Sequence, residues 1–125
     1  AALDAAVAAG HDGVEEDVLF HRSIAEAARN PFLISTLDYL AQFLRGATRV
    51  TRANEARRAD FAAQVRAEHA AIVQAIRAGD PPRARQAAGD HMNNAIRRVE
   101  SADPAFWSQE GERLAQTLVS GLPKA

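Results

Sequence analysis

Four residues of this 125-residue sequence combine side-chain type and spacing in a way that suits chemistry at one site: Asp17, His21, His69 and His91. Asp17 and His21 are four positions apart, so on a helix they stand one above the other on the same face. Val14, Val18, Ile24 and Ala28 share that face, which makes it the apolar one. His69 lies in a segment patterned by Phe61, Val65, Ile72 and Ile76, at the edge of the stripe or one position from it. His91 lies among Ala87, Ala88 and Ala95 of a further segment. One carboxylate and three imidazoles, drawn from three helices and turned to one interior, form a ligand set for a divalent transition metal such as zinc, nickel, iron(II) or manganese. The same placement also suits histidines that are hydrogen-bonded at a core boundary, with Asp17 and His21 as a surface ion pair worth a few tenths of a kcal/mol. The chain has four histidines, and three of them fall on such faces; His11, beside Gly10 and Asp12 in a turn, reads as solvated.

Composition removes several other chemistries. There is no cysteine, hence no thiolate metal site, disulfide or cysteine nucleophile. With 15 basic and 16 acidic residues the formal charge is −1, so the chain has no basic excess of the kind that draws a protein to nucleic acid. A hydrophobic fraction of 47% supports a core, built mainly from Ala, Leu, Ile and Val because aromatics are only 6%. No apolar run approaches the roughly 18 residues that span a bilayer. Residues 1–10 are apolar but lack the basic lead-in of a signal peptide. The length suits one domain, and the missing start methionine suggests the C-terminal part of a longer chain.

The elements that must position these residues all read as helices. Residues 1–9 look like a helix stopped by Gly10, and Asp12-Gly13 is a turn signal before a helix over 14–28. Asn30-Pro31 closes that helix and opens the next, whose stripe is Phe32, Leu33, Leu37, Leu40, Phe43 and Leu44. Residues 46–51 are ambiguous, and the polar, Arg-rich run 52–58 reads as a loop or frayed end. A helix over 60–78 turns Phe61, Val65, Ile72, Val73 and Ile76 inward and stops at Gly79. Asp80 caps the next helix, with Pro81 and Pro82 in its first turn, and that helix runs to about residue 101. After Asp103-Pro104 a last amphipathic helix covers 107–120, where Trp107, Leu114 and Leu118 suit core better than interface. The expected fold class is all-α, an antiparallel bundle of about six helices.

The order of the short motifs resembles the FadR-type C-terminal (FCD) ligand-sensing domain of GntR-family transcription regulators. The matching pieces are Asp17-Val18-Leu19-Phe20-His21, Asn30-Pro31, Glu68-His69-Ala70-Ala71-Ile72 with Ala75-Ile76 and Gly79-Asp80, Ala84, and His91-Met92. They span residue 17 to about residue 98. In metal-binding members the Asp and His of the first motif, the His of the Glu-His pair and the last His hold the metal. That pattern falls here on Asp17, His21, His69 and His91. The resemblance further implies a cytoplasmic homodimer that senses a small carboxylic acid through the metal. DNA would be contacted only by an N-terminal winged helix-turn-helix, which this chain lacks. A basic or amide side chain should orient the effector; Arg49 and Asn94 are the candidates, though Arg49 also suits solvent and Asn94 a plain hydrogen bond. The metal identity, effector, operator, dimer surface and sense of regulation are not legible.

Two rival classes remain at this point. A di-iron carboxylate enzyme needs paired Glu-x-x-His motifs, which are absent. A mononuclear metalloenzyme needs a general base, and Glu68, the sequence neighbour of His69, points about 100° away from it on a helix. A metal-free helical interaction module, with structural histidines, is the other alternative. The expectation is a sensor and not an enzyme.

Overall fold

The computed structural model describes residues 2–120, and every regular element among them is helical. In chain order these are α1 (Ala2–Ala8), α2 (Val14–Ala27), α3 (Pro31–Ala56), α4 (Ala59–Arg77) and α5 (Pro81–Glu100). A single turn α6 (Pro104–Phe106), a π-helical stretch (Trp107–Gly111) and α7 (Glu112–Ser120) follow. The all-α expectation holds, with the last helix split into three parts. Among the described residues no helix is long and apolar enough to cross a membrane. The chain divides into two compact units, one from Ala1–Ala53 with Pro104–Ala125 and one from Asn54–Asp103.

In the first unit α1 packs on α2, and the core includes Leu3, Ala6, Val14, Ala25, Val50 and Phe106. The turn between the two helices follows from Asp12 and Gly13. Asp12 Oδ1 accepts from the Val14 amide at 3.0 Å, and Gly13 adopts φ 74°. A Cβ on Gly13 would stand 2.5 Å from Leu3 Cδ1, so the residue is required for closeness as well as for backbone conformation. Asn30 caps α3 by accepting from the amides of Phe32 and Leu33 at 3.0 and 3.2 Å. The apolar stripe of α3 is partly uncovered: Phe32 is 82% exposed and Leu40 and Leu44 are each 38% exposed. Gly111 lies in the π-helical stretch against the rings of Phe106 and Trp107, of which Phe106 is fully buried and Trp107 half-buried. Leu114 is half-buried; the side chain of Leu118 lies outside the described residues.

The second unit is a helical hairpin, α4 packed along α5, preceded by the last turn of α3. Gly79, at φ 64°, ends α4 in a left-handed turn, with its own amide bonded to the Ile76 carbonyl and that of Asp80 to Ala75. The Asp80 side chain then accepts from the Arg83 amide at 3.0 Å and caps α5, whose first turn carries both prolines. The buried face of α4 is Phe61, Val65, His69, Ile72 and Ala75.

Two expectations are corrected. Ile76 is 42% exposed, and Ala75 takes the inward position, because the stripe steps by four, four, three and three and reaches 75. Residues 52–56 are helical, not loop, and Arg52, Asn54 and Glu55 are buried. Each of these polar side chains has a partner. Arg52 Nε donates to the Asp12 carbonyl at 3.2 Å, Asn54 Nδ2 to the Arg98 carbonyl at 2.8 Å, and Glu55 accepts from Arg98 Nε at 3.1 Å. A run with no apolar residue larger than alanine resembles a loop, yet its first five residues are helix, with buried polar side chains that are paired.

Candidate metal centre

The second unit brings two of the expected ligands together. His69, on the buried stripe of α4, and His91, on α5, place their Nε2 atoms 3.3 Å apart, with rings nearly edge to face at a centroid distance of 4.6 Å. His69 therefore belongs to the stripe itself, not to its edge.

Behind His91 stands a network that sequence reasoning missed. His91, Asn94 and Arg98 follow at i, i+3 and i+7 on α5, so they share one face, and all three reach Glu68 of α4. His91 Nδ1 lies 2.8 Å from Glu68 Oε2, and Asn94 Nδ2 donates to Oε1 at 2.8 Å. Arg98 Nη1 and Nη2 donate to Oε1 and Oε2 at 2.9 and 3.1 Å. Arg98 Nε continues to Glu55, and the Arg98 carbonyl accepts from Asn54. The guanidinium is 3% exposed as a residue, so a cation is buried between two carboxylates.

The electrostatics of this cluster are self-consistent. Burial alone would push the Glu68 carboxyl up, but hydrogen bonds from Arg98, His91 and Asn94, with the Arg98 charge, outweigh it and hold the carboxyl below the usual range. Burial likewise opposes the charge on Arg98, and its bonds and attraction to Glu68 and Glu55 raise its pKa above normal. An ionised carboxylate only accepts, so His91 Nδ1 donates to Glu68, and the other ring nitrogen, Nε2, is the one that faces His69.

The arrangement fits a metal ion. With metal–nitrogen bonds of about 2.1 Å, two nitrogens subtending roughly 90° to 110° are separated by about 3.0 to 3.4 Å. The observed 3.3 Å is within that span. A carboxylate behind a ligating imidazole is the usual outer partner of such sites. Imidazole nitrogen donors suit zinc or nickel, and the chain has no cysteine to offer a thiolate.

Asp17 is buried and His21 half-buried, one turn apart on α2, where the Phe20 ring stands edge-on to His21 at 5.2 Å. Arg49 is exposed on α3. Asn94 is half-buried and gives its amide to Glu68, and its Oδ1 accepts from Arg97 at 3.4 Å. His11 is exposed. The signal for Glu68 was present in the Glu68-His69 pair, but the helical angle between neighbours showed only that Glu68 turns away from His69. It turns toward the adjacent helix and His91.

The FCD domain family model matches residues 1–94, three quarters of the chain, and the chain belongs to that family. An FCD domain is a ligand-sensing regulator domain. No curated protein and no solved structure matches the chain.

Proposed function

We propose that this chain is the sensor and dimerisation domain of a GntR/FadR-type transcription regulator, and that it detects a small carboxylic acid through one divalent metal ion. The observation that carries the reading is the pair of imidazole Nε2 atoms at ligand spacing, one ring oriented from behind by a carboxylate. The family's motif pattern adds His21 as a third imidazole of the set. Asp17, buried one turn before it, supplies the carboxylate of the set. Zinc or nickel suits this set best, and iron or manganese is admitted by the same donors.

When bound, the ion supplies an electrophilic centre with open positions for the effector carboxylate. The chain's own residues do the rest. Arg49, by its charge, is the candidate group for orienting the effector; Asn94, the other candidate, has its amide engaged by Glu68 and would have to exchange that bond for the effector. Effector binding changes regulation only as far as it favours one packing of the helices over another. DNA contact belongs to a separate winged helix-turn-helix of the parent protein, and a homodimer matches a two-fold operator.

A hydrolytic metalloenzyme is the weaker reading. Glu68, the nearest base, is held ionised by Arg98 and already accepts from His91 and Asn94, which leaves it poorly placed to take a proton from water.

The test is metal content by mass spectrometry on protein purified without chelator, with His69→Ala and His91→Ala beside the wild type. About one transition-metal ion per chain, lost in both variants, supports the reading and leads to a thermal-shift screen of small carboxylic acids. No metal in the wild type, and none taken up on titration, overturns it in favour of a metal-free helical module.

A further inference from the structure

The outer face of α5 carries a pattern that the metal reading does not use. The helix buries His91 and Arg98, and on its far side Arg85, Gly89, Met92, Ile96 and Glu100 are all exposed. At 100° per residue these five fall within about 80° of one another and form one stripe along the helix. Met92 is 47% exposed and Ile96, one turn on, 58%. Among the described residues of this unit the one further exposed large hydrophobic is Ile76, on α4. A Cβ on Gly89 would meet nothing within 4 Å, so the glycine leaves a gap in the stripe that its own chain does not fill.

The stripe is symmetric about the point between Met92 and Asn93. Gly89 and Ile96 stand equally far from that point on either side, and so do Arg85 and Glu100. Laid antiparallel across it, a copy of the helix brings its Gly89 to Ile96, its Asn93 to Met92 and its Glu100 to Arg85. A face that fits its own two-fold image defines an isologous contact.

We propose that α5 pairs with α5 of a second copy of this chain, antiparallel about a two-fold axis between Met92 and Asn93. Ile96 of each copy fills the gap over Gly89 of the other, and the absent Cβ lets the two backbones approach. Arg85 and Glu100 make two equivalent ion pairs, one at each end of the contact. These pairs fix direction and register, because parallel pairing would set Arg85 beside Arg85 and Glu100 beside Glu100. That two copies pair at all rests on the functional reading above; the choice of surface rests on α5 and not on the metal. One helix against its copy is at the small end of specific interfaces, so this chain should associate with a Kd of about 10–100 μM.

The test is sedimentation velocity at concentrations bracketing that value. The wild type should pass from monomer to dimer. Arg85→Glu and Glu100→Arg should each weaken association on the order of 10-fold, since each sets like charges together at both ends. An equimolar mixture of the two variants should dimerise like the wild type, because opposite charges then meet at every end. Within one chain the two positions are about 22 Å apart along the helix, so this recovery can come only from contact between chains. Gly89→Gln should weaken the dimer by filling the gap, yet raise the Tm of the dilute monomer, because glycine is a poor helix former. A chain that stays monomeric at every concentration overturns the pairing, while metal content, measured separately, decides the metal reading. A dimer that none of these variants weakens overturns this face and leaves the homodimer in place on another surface. Single variants that weaken the dimer without recovery in the mixture overturn the antiparallel register.

Discussion

Arg98 spans both oxygens of the Glu68 carboxylate, with Nη1 on Oε1 at 2.9 Å and Nη2 on Oε2 at 3.1 Å. Its Nε is at the same time committed to Glu55. One cation therefore neutralises two acids, Glu55 buried and Glu68 half-buried, and its removal takes the shared positive charge from both. Replacing one partner of a buried ion pair is far more harmful than replacing the whole group. Arg98→Met should destabilise the fold by about 3 kcal/mol, measured by urea unfolding. A loss below about 1 kcal/mol would mean that the pairs behave as solvated surface bridges.

Acid should act on the same group. Glu68 has a folded-state pKa held below its ordinary value, by its bonds against the opposing effect of burial. Such a group stabilises the fold above the unfolded value, near pH 4.3 for glutamate, and that contribution is lost as pH falls through the lowered folded value. The urea midpoint of the wild type should therefore drop more steeply than that of Glu68→Gln as pH is lowered below about 4.3. Parallel profiles would show that Glu68 gains nothing from its ionised form.

Zinc should stabilise the protein by mass action. At a free concentration 100 times Kd the gain is about 2.7 kcal/mol, and chelator should reverse it. His69→Ala and His91→Ala should abolish the rise in Tm. Asp17→Asn and His21→Ala should weaken zinc binding in calorimetry; wild-type affinity in both would confine the ligand set to the two histidines of the hairpin.

The hairpin turn gives a backbone test. Gly79 holds φ 64°, where a side chain is disfavoured by about 1–2 kcal/mol, and a Cβ there meets no neighbour within 4 Å. Gly79→Ala should destabilise by about that amount in urea without changing the metal stoichiometry. A neutral result would show that the turn relaxes to another conformation.

Much of this fold could be read from punctuation. Asp12-Gly13, Asn30-Pro31, Gly79 and Asp80 each end or start a helix by a local rule, so the structure places those turns where the residues dictate. His69 and His91 were legible because imidazoles on apolar faces are unusual enough to notice. Glu68, Arg98, Glu55 and Asn54 were not, since their role exists only across helices. A charged residue near a helix end is ordinarily solvent-facing, and nothing local marks Arg98 as buried. The run 52–58 shows the same limit: absence of apolar periodicity cannot separate a loop from a helix whose inward face is paired with distant polar groups.

The sharing of Arg98 also limits how this protein can diverge. A lineage that loses the arginine first passes through a form in which both acids have lost their shared cation, and one that loses a single glutamate removes one of the cation's two acidic partners. Neutral drift is thus blocked at three positions that are far apart in the gene, residues 55, 68 and 98. They are expected to change together or not at all, so the loss of this arginine in a descendant should be accompanied by neutral residues at both acidic positions.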